Sequence, residues 1–310
     1  MRTWMGAGLG AAFVGVVGLY SGALPLERAA GPWTALDAEE AAMAERLDEL
    51  VGLLVDEPGA ARPRDGDDAR AVLARRLERA GWEVEQHEAG DLECRRAGLK
   101  LEEEIVLVLA RHGAPPRSPG AGLWATSAAV ALELAAAHVD VPCERGLVFA
   151  FASDEGGAER ALRRASGRGE RVKAALVVGS QGRYGGQYAD LPLALAPFVP
   201  ASADHLLFVA DWRGRDALRL SVGAFREGSL LPSEGVALPS LALLEDGAHL
   251  SALSAAGVPA VYAGDGGAWR SLELGGPGDT RDKLDAERMA RATTGLHWSL
   301  RRLTLASVLP

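Results

Sequence analysis

The sequence is poor in cysteine, lysine and aromatic residues. Cysteine occurs only at Cys94 and Cys143. Two cysteines set no disulfide framework, and without a C-x-x-C pair they form no zinc ribbon. They read as buried, unpaired thiols, with a single bridge left open if the domain is exported. Lysine stands only at 100, 173 and 283, so the basic charge is almost all arginine. Alongside abundant Ala and Gly, that reads as coding bias rather than function. The net charge of −9 leaves no basic stripe to release counterions, which argues against nucleic acid as a partner. Three catalytic signatures are also missing: the G-x-S-x-G elbow, the H-E-x-x-H helix pair and the Walker phosphate loop.

What is present is an ordinary globular composition, 48% hydrophobic and 24% charged over 310 residues. One segment stands apart. From Thr3 to Leu26 there is no charged side chain, a length that crosses a bilayer of about 30 Å as a helix. Arg2 and the amino terminus favour the cytoplasmic side, placing the rest of the chain outside. The other reading is a cleaved signal peptide ending near Ser21-Gly22-Ala23. Residues 1–30 are therefore expected to be a membrane anchor or signal peptide. Residues 31–310 are expected to be one α/β domain, membrane-anchored outside the cytoplasm or secreted.

Along that domain, Leu47, Leu50, Val51 and Leu54 recur at helical spacing within 36–55, with Asp37 and Glu40 as an acidic capping pair. A second helix is expected from Asp67 to Ala80, stopping at Gly81. Residues 82–88 alternate as a half-buried strand. Residues 104–110, 146–152, 173–179, 205–211 and 258–264 are nearly unbroken apolar runs, as in strands covered on both faces. Helices are expected around 125–138, 214–226, 247–256 and 284–304. Such alternation predicts a three-layer α/β/α domain with a mostly parallel mixed sheet. Sites in these folds lie beyond the carboxyl ends of the strands, which here are His112, the Ser153–Gly157 turn and Gly179.

Three windows carry a resemblance: "PGAGLWATSAAVALELA" (119–135), "AFASDEGG" (150–157) and "AGDGGAWRSLELGGPGDTRDKLDAERMARATTGL" (263–296). In this order the chain resembles the zinc-dependent aminopeptidases with a co-catalytic metal pair, metallopeptidase family twenty-eight. The resemblance implies five metal-ligand positions. His112 matches the first histidine, and Glu155 matches the metal-binding member of the family's Glu-Glu pair. Asp154 takes the general-base position, one methylene shorter than the family's Glu. The bridging aspartate falls on Leu123, the acid after the next strand on Gly179, and the closing histidine on Gly275. The aspartate that orients the first histidine falls on Ala114.

Two zinc ions about 3.5–4 Å apart repel by roughly 20 kcal/mol at an effective dielectric of about 20. Leu123 brings no charge to offset this. The expectation is a degenerate member with no resident cofactor, or zinc if any metal is retained. His112 and Glu155 would be vestigial ligands and Asp154 a vestigial base. The former cleft would bind a peptide or partner protein. Two alternatives stay open. One is an active aminopeptidase with a mononuclear zinc site on His112, Glu155 and His249. The other is a structural component of a membrane assembly. His249 itself reads best as a surface or helix-start residue, and Asp265 and Asp279 as turn and cap residues, with Asp279 before the last helix. His87, His138, His205 and His297 carry no assigned chemistry.

Overall fold

The computed structural model describes residues 34–55, 67–113, 118–191, 199–238, 244 and 246–305. The uncharged segment 3–26 and Ala114 lie outside these residues. No helix among the described residues is long and apolar enough to cross a membrane.

The chain opens with two helices, α1 (Ala38–Val55) and α2 (Asp67–Arg79). The capping pair forms as expected: Asp37 Oδ1 accepts the N–H groups of Glu39 and Glu40 at 2.9 and 2.8 Å, and Glu40 reaches back to the Asp37 N–H. Strands β1 (Val84–Gln86), β2 (Leu92–Arg96) and β3 (Leu101–Arg111) follow. A π-helical turn (Ala121–Ala125) leads into α3 (Thr126–His138), then β4 (Arg145–Ala152), α4 (Gly157–Gly167) and β5 (Arg171–Val178). Next come β6 (Leu206–Asp211), α5 (Arg215–Gly228), β7 (Ser233–Leu238) and α6 (Gly247–Ala255). The last elements are β8 (Ala260–Gly264), the short α7 (Gly267–Arg270) and α8 (Ala286–Leu303).

The eight strands form one sheet in the order β1-β2-β4-β3-β5-β8-β6-β7. Pairings β4–β3, β3–β5, β5–β8 and β6–β7 are parallel, and the remaining three are antiparallel. Alternate side chains of β3 enter different cores. Val106, Val108 and Ala110 face the layer of α1, α2, α3, α5 and α8, while Ile105, Leu107 and Leu109 face α4 and α6. Helix α3 is buried over nearly all its surface, which explains why it is apolar all round rather than amphipathic.

The sequence reading missed the π-turn and the short α7, and three longer elements besides. Strand β2 and strand β7 are short and carry charge, and α4 is rich in arginine, so apolar periodicity does not reveal them. The logic that joins β2 and α4 is electrostatic. Asp91 and Glu93, two residues apart and on one side of the chain, are both buried. Arg160, Arg164 and Arg168 recur every four residues along α4. Arg160 grips Asp91 with two bonds of 2.7 Å, Arg164 Nε reaches Glu93 at 2.7 Å, and Arg168 reaches Glu93 at 2.8 Å. Burial alone would raise the pKa of Asp91, but the Arg160 guanidinium and the Ser153 donors outweigh it and hold that carboxyl far below its usual range. Both cysteines are buried and free.

Candidate functional site

The edge of the sheet where β3, β4, β5 and β8 end is where chemistry is expected. It has two corners. The first gathers His112, Asp154, Glu155 and His249. His112 closes β3 and is buried; its Nε2 lies 3.0 Å from the Gly90 carbonyl, so that nitrogen donates and Nδ1 keeps the lone pair. Nδ1 is buried without a hydrogen-bond partner among the described residues. Burial pulls the His112 pKa below its ordinary value, against the opposing Gly90 bond. Asp154 and Glu155 stand in the exposed turn after β4. One oxygen of Asp154 is committed to the Gly156 N–H and to Arg160, both at 2.8 Å.

His249 sits in the first turn of α6, as expected, but it is buried rather than on the surface. The apolar pattern of α6 concealed this, because a histidine at a helix start is exposed unless another segment crosses it. Here the Ser153–Gly157 turn does so: His249 Nε2 donates to the Asp154 carbonyl at 2.9 Å. Its Nδ1 faces Asp246 at 3.7 Å, too far for a hydrogen bond. The turn thus brings His249 to the backbone of residue 154, not to its carboxylate.

The second corner is built on Asp265 and Asp279, both fully buried. Asp265 follows β8 and accepts from Ser180 Oγ at 2.6 Å, from the N–H groups of Gly182 and Arg183 at 2.8 and 2.6 Å, and from Gly267 N–H at 2.9 Å. It thereby ties the loop after β5 to the end of β8, which agrees with a turn role. Asp279 does not cap the last helix. That cap is Asp285, whose Oδ1 accepts the Arg288 N–H at 2.9 Å. Asp279 instead receives the N–H groups of Gly122 (2.9 Å), Leu123 (3.1 Å) and Gly275 (3.1 Å), together with Arg183 at 3.0 Å. A carboxylate at the start of the π-turn and α3 satisfies free N–H groups and complements the helix dipole. Sequence separation of more than 150 residues hid this role.

Leu123, Gly179 and Gly275, where the resemblance expects metal ligands, have specific surroundings. Leu123 and Gly275 both offer backbone N–H groups to the same carboxylate. Gly275 holds φ at 72°, a left-handed conformation that glycine adopts freely. Gly179 lies under the ring of Tyr262, and a Cβ there would stand 2.2 Å from the ring. Tyr262 was not singled out by the sequence, where it reads only as one apolar residue of β8. No three His, Cys, Asp or Glu side chains among the described residues are grouped as a metal ion requires.

No family model and no curated protein matches the sequence. Solved structures do share its fold. The LapA aminopeptidase of Legionella pneumophila superposes with a TM-score of 0.63 at 13% identity, covering 89% of this chain and 78% of that one. The glutaminyl cyclase of Fimbriiglobus ruber gives 0.56 at 16% identity, covering 89% and 99%. BSAP, a zinc aminopeptidase from Bacillus subtilis, gives 0.51 at 15% identity, covering 68% and 49%. The chain therefore has the aminopeptidase-like mixed α/β fold, which glutaminyl cyclases also share.

Proposed function

We propose that this chain is an exported or membrane-anchored relative of the zinc aminopeptidases that does not cleave peptides, and that its cleft instead holds a peptide or a partner protein. The observation that carries the reading is the Tyr262 ring over Gly179. It fills the space that a metal-binding side chain at 179 would need. The rest of the donor set agrees. Leu123 has no donor atom, and Gly275 is held in a conformation suited to glycine. Nε2 of His249 is spent on the Asp154 carbonyl, which leaves the lone pair of His112 Nδ1 without a second histidine nitrogen shown to converge on it. Zinc requires three or four converging protein ligands, and these residues do not fit that need. The mononuclear alternative on His112, Glu155 and His249 meets the same objection.

The test is metal analysis and peptide cleavage on the purified full chain. Zinc well below one equivalent, and no release of amino-terminal residues from peptides, is the expected result. One or two tightly held zinc ions with turnover would overturn the reading. A back-substitution sharpens it. Gly179→Asp should destabilise the domain by about 1–3 kcal/mol through overpacking against Tyr262, and Tyr262→Ala should suppress part of that cost.

A further inference from the structure

The outer side of α8 carries Trp298, Arg301 and Arg302, at spacings of three and four residues that place them on one face, and Leu305 follows two residues past the end of the helix. Trp298 is 42% exposed and Leu305 38%. The Arg301 guanidinium lies 5.4 Å from the Trp298 ring centre, and Arg302 reaches out to Glu227 at 2.8 Å. Trp298 packs beside Gly228 at the end of α5, and Leu230, 57% exposed, follows two residues on. A tryptophan, arginines and leucines on one exposed face form the pattern of a surface that lies in a membrane interface.

The path of the chain supports this. Arg291, seven residues or two turns before Trp298 on the same side of α8, donates to the Thr34 carbonyl. The described chain thus begins beside this helix. Only residues 27–33 separate it from the uncharged run 3–26, and seven residues span at most about 25 Å. If the run crosses a bilayer, the α8 face is held near that bilayer's surface.

We propose that the Trp298–Arg301–Arg302 face of α8, with Leu305 just past its end, rests in the headgroup boundary of the membrane crossed by residues 3–26. This depends on reading that run as a retained anchor, so the test separates the two. The full chain is reconstituted in vesicles of phosphatidylcholine and phosphatidylglycerol. A nitroxide is attached through Leu305→Cys, or through Arg163→Cys on α4, which lies on the opposite face of the sheet. The buried native thiols serve as the labelling blank. The label at 305 is expected to relax faster with membrane-dissolved oxygen than with an aqueous nickel chelate, and the label at 163 the reverse. Arg301→Glu with Arg302→Glu should shift the 305 label toward the aqueous pattern. If the chain floats with the vesicles while both labels report water, the anchor stands and the docking fails. If the chain does not float, the anchor reading fails and the proposal with it. Dipolar broadening between 305 labels in place of oxygen access would assign the face to a second copy and also overturn the proposal.

Discussion

The two corners of the sheet edge use their acids in opposite ways. At the His112 corner the carboxylates of Asp154 and Glu155 are exposed. At the Asp279 corner the carboxylates of Asp279 and Asp265 are fully buried and saturated with backbone donors. The side chains that the aminopeptidase resemblance singles out lie at the first corner. The acids that hold the edge together lie at the second. A buried carboxylate surrounded by N–H groups organises loops; an exposed one beside an arginine does little for stability. The difference teaches that the loop from 118 to 125 keeps its shape through a partner in the closing segment, without any ligand of its own.

The largest expected effect lies at the second corner. Asp279→Ala leaves three N–H groups without their acceptor and takes from Arg183 its buried carboxylate, leaving it Ser271 and Gly278, and should cost about 3–5 kcal/mol, read from urea denaturation midpoints. A cost below about 1 kcal/mol would erase the contrast between the corners.

Acid comes next. Burial pulls His138, in the core, down to about 4 from 6.5, and it lowers His112 as well. The unfolded chain takes these protons at higher pH than the folded one does. Stability is therefore full above pH 6.5, falls as pH drops through that value, and keeps falling toward pH 4. For His138 the loss is about 3 kcal/mol. Denaturation midpoints across that range should lose most of their slope in His138→Leu and a smaller part in His112→Asn. No change in slope for His112→Asn would mean that the first corner is open to solvent.

The smallest effect belongs to Asp154. Its pair with Arg160 is half in water, because the Asp154 side chain is 59% exposed. Asp154→Asn should change stability by less than about 1 kcal/mol. A larger loss in the same denaturation assay would make the first corner a structural one too.

Much of the fold could be read before any coordinates. The apolar runs marked β3, β4, β5, β6 and β8, and the Asp37–Glu40 pair marked the start of α1. Charged elements escaped. β2 and α4 are joined by Asp91, Glu93 and the arginines of 160, 164 and 168, and ion pairs between distant segments leave no periodic apolar trace. At the site, the candidate positions were legible because three windows of sequence keep their order. Their surroundings were not legible. Nothing near Gly179 in sequence announces the ring of Tyr262, and nothing near Leu123 announces Asp279.

From the sequence alone came the layered α/β architecture, the edge where a site is expected, and side chains without donor atoms at Leu123, Gly179 and Gly275, where the resemblance expects ligands. These follow from local properties: apolar periodicity, turn residues and the chemistry of single side chains. Only the tertiary structure decided that Asp279 holds the π-turn, that His249 is buried against the Asp154 carbonyl, and that Tyr262 fills the space over Gly179. Those are contacts between residues far apart in the chain, and packing settles them because a buried polar group must find a partner and a buried space must be filled.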